Sequence, residues 1–334
     1  MTILITGGAG YIGSHACKAI AAAGLLPVTY DNLSTGHEWA VKWGPLVRGD
    51  LKDTGLLRDT MRRYKIRAVM HFAAHSLVGE SMRDPGKYYH NNLVNTLNLL
   101  EAMIDTHVSR IVFSSTCAVY GMPTTDSLRE DHPVQPVNPY GDTKLAMERA
   151  LAWYANAFDL SWVALRYFNA AGADEAGEIG EAHACETHLI PLILEAASQQ
   201  QPVSVFGDDY PTPDGSCIRD YIHVTDLADA HLRALHHIED EKPNTILNLG
   251  TGHGHSVFDV IHAAQRVTGR NVPVTIAPRR PGDPPRLVAD GAQARATLGW
   301  RPEHSSLENI VRTAWQWKAQ AEIVRAEQLH DSVH

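Results

Sequence analysis

Basic clusters, cysteines and long apolar runs are all scarce in this chain. Its 334 residues include 29 Lys and Arg against 38 Asp and Glu, for a formal charge of −9, and the basic residues are scattered. A nucleic-acid-binding protein needs a basic patch to neutralise phosphates, so no nucleic-acid partner is expected. An anionic ligand would have to be bound by a few individual arginines and by backbone N–H groups.

The cysteine content points to a reducing compartment. The four cysteines, Cys17, Cys117, Cys185 and Cys217, form no CxxC pair, and the chain begins on an apolar strand pattern without a basic leader. Both features favour reduced thiols and a cytoplasmic location. No apolar run approaches the roughly 20 residues that cross a bilayer, so no membrane association is expected.

Strand and helix patterns alternate through the first half of the chain. The predicted strands are 2–6, 26–30, 46–50, 68–73, 110–115 and 162–166, and the predicted helices are 11–23, 52–64, 85–105 and 139–158. Strands separated by helices of this length predict a parallel sheet covered on both faces, which is a Rossmann-like, doubly wound α/β fold. The strands are continuously apolar, as strands buried on both faces usually are.

The alternation of strand and helix patterns ends after residue 169. Residues 170–185 are rich in Gly and Ala without a clear period, and the following segments alternate new helices with short strands and turns. We therefore expect a first domain at 1–169 and a smaller α/β lobe at 170–334, laid over the strand ends. A return to the main sheet is expected around 220–250, in the stretches 222–238 and 245–249.

A glycine-rich loop joins the first strand to the first helix. Gly7, Gly8, Gly10 and Gly13 fall in the sequence Gly-Gly-Ala-Gly-Tyr-Ile-Gly, where small residues let the backbone approach a pyrophosphate at a helix N-terminus. The strand and helix on either side make this stronger evidence than an isolated glycine motif. The loop predicts that residues 1–169 bind a dinucleotide.

An acidic residue at the end of the second strand indicates which dinucleotide. Asp31 lies 18 residues after Gly13, and no Arg or Lys stands beside it in residues 31–34. A carboxylate there accepts hydrogen bonds from ribose hydroxyls and repels a 2′-phosphate, so NAD is expected rather than NADP. A helix-capping role is the alternative for Asp31. Asp50, at the end of the third strand, is predicted to contact the adenine amine.

A tyrosine and a lysine share one face of a predicted helix. Asn138 and Pro139 are typical of a helix start, which places Tyr140 and Lys144 one turn apart. A lysine ammonium and a positively charged nicotinamide would lower the tyrosine pKa from about 10, making the phenol a base for a hydroxyl proton. A YxxxK pair is most often a surface feature, but this one follows a strand that ends in Ser114-Ser115-Thr116, at the sheet edge where ligands bind.

Taken in order along nearly the whole chain, these motifs resemble the UDP-glucose 4-epimerases of the extended short-chain dehydrogenase/reductase family. The resemblance also rests on Asp31-Asn32-Leu33, His71-Phe72-Ala73-Ala74, Arg166-Tyr167-Phe168-Asn169, Arg219-Asp220-Tyr221-Ile222-His223-Val224 and Arg279-Arg280-Pro281-Gly282-Asp283. It implies reversible C4 epimerisation of UDP-glucose and UDP-galactose through a 4-keto intermediate, with a hydride transiently held by bound NAD. It also implies a homodimer.

The same resemblance implies roles for individual residues. Tyr140 would be the base, Lys144 its electrostatic partner and a ribose ligand, and Thr116 the hydroxyl that hydrogen-bonds the reacting oxygen. Further NAD contacts are implied for Gly7, Gly10, Tyr11, Ile12, Gly13, Asp31, Asn32, Asp50, Leu51, Phe72, Ala73, Ala74, Asn91, Ser114 and Tyr167. UDP-sugar contacts are implied for Thr116, Asn169, His188, Leu189, Ser204, Phe206, Arg219, Arg280, Asp283 and Leu287.

Two positions depart from common patterns of the family. Ser76 stands where some bacterial relatives carry a lysine on the NAD phosphates, which would weaken NAD retention. Leu287 stands where epimerases restricted to plain hexoses often carry a tyrosine against the sugar. A smaller wall there predicts some acceptance of UDP-N-acetyl sugars.

Three other functions are compatible with parts of the sequence. A UDP-N-acetylglucosamine or UDP-pentose 4-epimerase is the nearest alternative. A nucleotide-sugar 4,6-dehydratase would need an acid pair after Thr116, but Cys117 and Ala118 follow it. An NAD-sensing regulatory protein with a dead site would typically lack the tyrosine and lysine.

A metal site is not expected. His183, Cys185 and His188 have ligand-like side chains, but their spacing matches no tetrahedral zinc pattern. Surface or pocket histidines are the preferred interpretation.

Overall fold

The computed structural model describes residues 1–280 and 282–331, with side chains described as far as residue 320. The strands are β1 (Thr2–Thr6), β2 (Leu26–Asp31), β3 (Leu46–Arg48), β4 (Ala68–His71), β5 (Arg110–Thr116), β6 (Ser161–Tyr167), β7 (Asn169–Ala171), β8 (Val203–Phe206), β9 (Ile218–His223), β10 (Thr245–Leu249), β11 (Gly254–Ser256), β12 (Val274–Ala277) and β13 (Arg286–Leu287). The helices are α1 (Tyr11–Ala22), α2 (Thr54–Tyr64), α3 (Val78–Arg83), α4 (Pro85–Tyr88), α5 (Asn95–Asp105), α6 (Pro139–Phe158), α7 (Leu189–Gln199), α8 (Val224–Glu239), α9 (Val257–Thr268), α10 (Ala292–Leu298) and α11 (Leu307–Asp331).

Seven parallel strands form the main sheet, in the order β10-β6-β5-β4-β1-β2-β3. The strand order changes direction between β1 and β4. The loops after the carboxyl ends of these strands diverge there and leave a crevice at that edge of the sheet. The predicted doubly wound, Rossmann-like fold is confirmed.

The two faces of this sheet are buried under separate helical layers. Along β1, Ile3 and Ile5 pack in one core cluster with residues of α1 and α8, and Leu4 packs in the other with residues of α2, α5 and α6. Alternate side chains of a strand point to opposite faces, so an uninterrupted apolar strand supplies both cores.

The chain returns to the main sheet in its second half. Ile222 lies in β9 of a smaller sheet, but α8 then packs against α1 and covers β5 and β6. β10 follows and pairs in parallel with β6, joining Thr245 to Val163.

The lobe is built from two small sheets and its own core. β9 pairs with β7, β11 and β13, and β8 pairs with β12. Buried residues of α7, α9 and α11, including Ile193, Val260 and Ile310, pack together beneath these strands. β7 and β13 bring the lobe to the carboxyl edge of β6, beside the loops of the main sheet.

One predicted helix differs in detail. The stretch 85–105 consists of α4, a π-helical turn at Tyr89–Val94, and α5. Such turns widen a helix locally and are frequent at functional sites. Among the described residues, no helix combines the length and apolarity needed to cross a membrane.

Candidate active site

The glycine loop after β1 leaves room that only a residue without a side chain allows. Gly7 has φ 72°, and a Cβ there would lie 2.6 Å from the Ala73 nitrogen. A Cβ on Gly13 would lie 2.1 Å from the Gly7 carbonyl oxygen. Among the described residues, no side chain caps α1 at Gly10, so the first N–H groups of this helix are available to a phosphate.

The other residues of this first turn tie it to its surroundings. The Tyr11 hydroxyl donates a hydrogen bond to the Gly172 carbonyl at 2.5 Å, which joins α1 to the lobe. The Ile12 side chain packs against the core, so its backbone rather than its side chain is available to a ligand.

A cleft of about 600 Å³, partly open to solvent, lies beside the loop at the ends of β2, β3 and β4. Nine residues predicted to contact the cofactor line it: Gly7, Asp31, Asn32, Asp50, Leu51, Phe72, Ala73, Ala74 and Asn91. The cleft is also lined by Thr35, His75 and Asn95, which are not among the residues predicted from the sequence. The π-helical turn precedes Asn95, and no sequence pattern signalled that turn.

The carboxylate of Asp31 is fixed at the mouth of this cleft. Its two oxygens accept hydrogen bonds from the Ala9 nitrogen at 3.0 Å and the Leu33 nitrogen at 2.8 Å. Burial raises the pKa of Asp31, and these two bonds oppose the rise. Asp50 accepts a hydrogen bond at 3.0 Å from the amide of Asn32, the residue after Asp31. This bond joins the chain after β2 to the chain after β3.

The predicted catalytic residues meet at the ends of α6 and β5. The Asn138 side chain accepts a hydrogen bond from the Gly141 nitrogen at 2.8 Å and thereby caps α6. Lys144 is 4% exposed, and its ammonium donates to the Ser114 carbonyl oxygen at 2.7 Å. Thr116 is the last residue of β5, and Tyr140 is 9% exposed.

Burial dominates the electrostatics of this group. It raises the pKa of Tyr140 well above its usual value, with a contribution from Tyr167, while a hydrogen bond with Thr116 lowers it. Burial also lowers the pKa of Lys144 to about 7, against the charge of Glu148, which raises it. The side chains alone therefore do not produce the lowered tyrosine pKa that the sequence analysis expected.

Ser114 and Tyr167 complete this edge. Their hydroxyls share a hydrogen bond of 2.6 Å, which joins the ends of β5 and β6. Cys117 adjoins Thr116, and burial raises the pKa of its thiol to about 12, against the lowering effect of Arg219. A thiol of that kind is a small packing residue rather than a nucleophile.

A buried ion pair supports the catalytic helix and was missed by the sequence analysis. Glu148, one turn after Lys144, accepts bonds from the Arg166 guanidinium at 2.9 and 2.6 Å and from the Ser115 hydroxyl at 2.5 Å. Arg166 donates in turn to the Tyr120 hydroxyl at 3.0 Å, which donates to Asn248 at 2.7 Å. This network joins α6, β5, β6 and β10.

Five of the residues predicted to bind the UDP-sugar form two groups in the lobe. The Arg219 guanidinium contacts the Asp283 carboxylate, and Leu287 faces Arg219 in the β13–β9 register. The Arg280 guanidinium lies 4.0 Å from the centre of the Phe206 ring.

The remaining predicted residues lie nearby in the fold or at its surface. Asn169 begins β7, and Ser204 is exposed on β8, two residues before Phe206. His188 immediately precedes Leu189 at the start of α7, and its ring contacts Glu181.

Comparison with known proteins identifies the family. Residues 3–250 match the NAD dependent epimerase/dehydratase family. A UDP-glucose 4-epimerase of Rhizobium meliloti is 50% identical over 94% of this chain and 96% of its own length. The crystal structure of UDP-glucose 4-epimerase from Brucella ovis in complex with NAD superposes with a TM-score of 0.92 at 52% identity, over 94% of this chain and 97% of that one.

A third match is a complex with two ligands. The crystal structure of UDP-glucose 4-epimerase from Bifidobacterium longum in complex with NAD⁺ and UDP has a TM-score of 0.91 at 38% identity, over 96% of this chain and 98% of that one. The chain therefore belongs to the NAD dependent epimerase/dehydratase family and groups there with the UDP-glucose 4-epimerases.

Proposed function

We propose that this protein is an NAD-dependent UDP-sugar 4-epimerase that interconverts UDP-glucose and UDP-galactose. The observation that carries the proposal is that buried Tyr140, at the start of α6, and Thr116, at the end of β5, lie at the sheet edge that also bears the glycine loop. A proton acceptor, a dinucleotide cradle and an arginine-bearing lobe then lie around one edge. The relatives described above are epimerases of this kind.

The residues of the cradle fit NAD. A Cβ would fill the space at Gly7 and Gly13, the first turn of α1 offers N–H groups, and Asp31 holds an acceptor at the cleft. When bound there, NAD supplies a hydride acceptor that later returns the hydride to the same carbon of the sugar.

The chain's own residues manage the proton. Tyr140 would accept the proton of the C4 hydroxyl and return it to the 4-keto oxygen after the sugar has turned over. Thr116 would hydrogen-bond the same oxygen and position it. Burial opposes phenolate formation at Tyr140 and also disfavours the Lys144 ammonium. The positive charge of bound NAD⁺ would therefore be needed beside Lys144 to favour the phenolate.

The lobe would hold the nucleotide part. Arg219 and Arg280 supply charge for the diphosphate, and the Phe206 ring supplies an apolar surface for the base. Asn169 and Leu189 would add contacts beside them. Because Arg219 contacts Asp283, the diphosphate would approach an arginine that is already oriented.

The sugar specificity proposed here extends beyond the plain hexoses. Leu287 packs beside a cluster that includes Phe168 and Val119, and its own side chain offers no hydroxyl to bind a hexose. UDP-N-acetyl sugars should therefore be accepted, at least weakly, and UDP-pentoses are further candidates. Elimination of water by a dehydratase is disfavoured because Cys117 and Ala118, neither of which is a carboxylic acid, follow Thr116.

A cytoplasmic homodimer is also proposed. Trp153 is 73% exposed and Phe158 is 50% exposed, both on the second half of α6. Tyr154 on α6 contacts Glu101 on α5, so the two helices present a joint outer surface. Large apolar side chains left on such a surface are typical of an interface.

Turnover without added cofactor tests the proposed function. Purified full-length protein is incubated with UDP-galactose, and the products are separated by chromatography. We expect UDP-glucose to form without added nucleotide, because the hydride returns and NAD does not need to leave between turnovers. Protein that is free of bound nucleotide and that turns over only with added NADPH would contradict the proposal.

A further inference from the structure

Four potential metal ligands converge in the loop between β7 and α7. Glu181, His183, Glu186 and His188 each offer one ligand atom, and within the described part of the chain these atoms all lie within 4.8 Å of one another. The His183 Nδ1 atom lies 3.2 Å from a Glu181 oxygen and 3.4 Å from a Glu186 oxygen. The His188 Nδ1 atom contacts the same Glu181 oxygen.

The separations at His183 suit a small tetrahedral ion, whereas His188 contacts Glu181 directly and the two must move apart for both to bind the ion. Ligand atoms about 2.0–2.2 Å from a tetrahedral zinc lie about 3.3–3.6 Å from one another. The two His183 separations agree with that spacing to about 0.1 Å. The imidazole rings are 5.2 Å apart and nearly perpendicular, at 84°, so both Nδ1 atoms reach the Glu181 carboxylate without the rings stacking.

The surrounding structure orients the ligands. The second oxygen of Glu186 accepts hydrogen bonds from the Thr187 nitrogen at 2.7 Å and the His188 nitrogen at 2.8 Å. The Glu181 carbonyl oxygen accepts a bond from the Trp317 indole at 2.9 Å, and the Ala182 carbonyl oxygen bonds the His37 ring at 2.6 Å. Outer contacts of this kind hold ligands in place before an ion binds.

We propose that Glu181, His183, Glu186 and His188 form a binding site for one divalent transition-metal ion, with zinc as the best match. Two imidazoles with two carboxylates suit zinc, whereas Mg²⁺ and Ca²⁺ prefer all-oxygen ligand sets. Four protein ligands leave no open position, which is typical of a structural zinc site rather than a catalytic one.

The position of the site gives the ion a structural role. His183 lines a second cleft together with Gly10, Tyr11 and His37, next to the glycine loop. His188 begins α7 and adjoins Leu189. An ion bound here would fix the loop between the dinucleotide side and the substrate side of the site.

The sequence alone predicts no metal site here, because the spacing of His183, Cys185 and His188 fits no zinc pattern. The Cys185 side chain is exposed and is not part of the cluster, while Glu181 and Glu186 supply the other two ligands.

Zinc stoichiometry tests the proposal. The full-length protein, carrying its bound nucleotide and no histidine tag, is stripped with a chelator and dialysed against micromolar zinc chloride, and bound metal is measured by elemental analysis. We expect one zinc per chain in the wild type, and none at this site in a His183→Ala, His188→Ala double variant. Cys185→Ser and His262→Ala, which change an exposed thiol and an exposed helical histidine, should keep that zinc.

Two further measurements guard against trivial results. Glu186→Gln keeps both histidines and the loop hydrogen bonds, and it should weaken zinc binding. It replaces the double variant in the test if that protein fails to fold. Zinc, but not magnesium, should raise the Tm of the wild type and leave that of the histidine variant unchanged. Wild type that binds no zinc would overturn the proposal. So would equal zinc in the wild type and both sets of ligand variants, which would show adventitious surface binding only.

Discussion

At the scale of single residues, the proposed reaction depends most directly on Tyr140. Tyr140→Phe keeps the ring in its buried position and removes the proton acceptor, so turnover of UDP-galactose should fall by about 10²–10⁴-fold. Binding of UDP, measured by calorimetry, should barely change. Tyr64→Phe, a matched change on α2, should leave turnover intact. Near-wild-type turnover of the Tyr140 variant would mean that another group is the base.

Leu287 is proposed to limit how large a sugar is accepted. Leu287→Tyr should suppress turnover of UDP-N-acetylglucosamine while sparing UDP-galactose, because the larger ring would occupy room that a 2-acetamido group needs. Pocket changes of about one methylene shift selectivity by about 10–200-fold, and a larger shift is expected for a phenol. Comparing kcat/KM for both substrates checks this, with Leu287→Met as the volume-conserving control. Wild type that consumes UDP-galactose but not UDP-N-acetylglucosamine would refute the argument.

At the scale of elements, those parts of the site that depend on short sequence patterns are predictable. Patterns within a few residues indicate the strand before the glycine loop, the strand that ends at Asp31 and the capped start of α6. The ion pair of Glu148 with Arg166 joins two separate elements, and the sequence carries no periodic or turn signal for that contact. The cluster on Glu181 lies within residues 181–188, but a loop without periodicity does not show from its sequence which side chains it brings together.

The ion pair beneath α6 should contribute much of that helix's stability. The Arg166 side chain is 4% exposed and that of Glu148 3%. Removing one partner of a buried pair costs about 3–5 kcal/mol, so Glu148→Gln should lower the free energy of unfolding by an amount near the lower end of this range. Asp229→Asn breaks an exposed pair with Arg233 on α8 and should cost at most about 1 kcal/mol. Urea denaturation of the nucleotide-bound protein compares the two. Equal losses of unfolding free energy in the two variants would show that the buried pair contributes no more stability than the exposed one.

At the scale of the whole molecule, the fold is largely predictable and the lobe is not. Apolar strands with intervening helices specify the seven-stranded sheet, because both faces must be buried. The lobe consists of strands of two to six residues that pair across long gaps in the sequence, such as β13 with β9. Strands this short carry too little pattern to be assigned before their partners are known.

The proposed dimer depends on the outer surface of α5 and α6. A Trp153→Glu, Phe158→Glu double variant places two charges where exposed aromatic rings stand, and desolvating those charges in an interface is costly. Light scattering after size exclusion should give a dimer for the wild type and a monomer for this variant. Ile276→Glu changes an exposed apolar residue on β12 of the lobe and should leave the dimer intact. A wild-type protein that is monomeric at micromolar concentration would contradict the proposal, and a dimer that survives the double variant would move the interface to another surface.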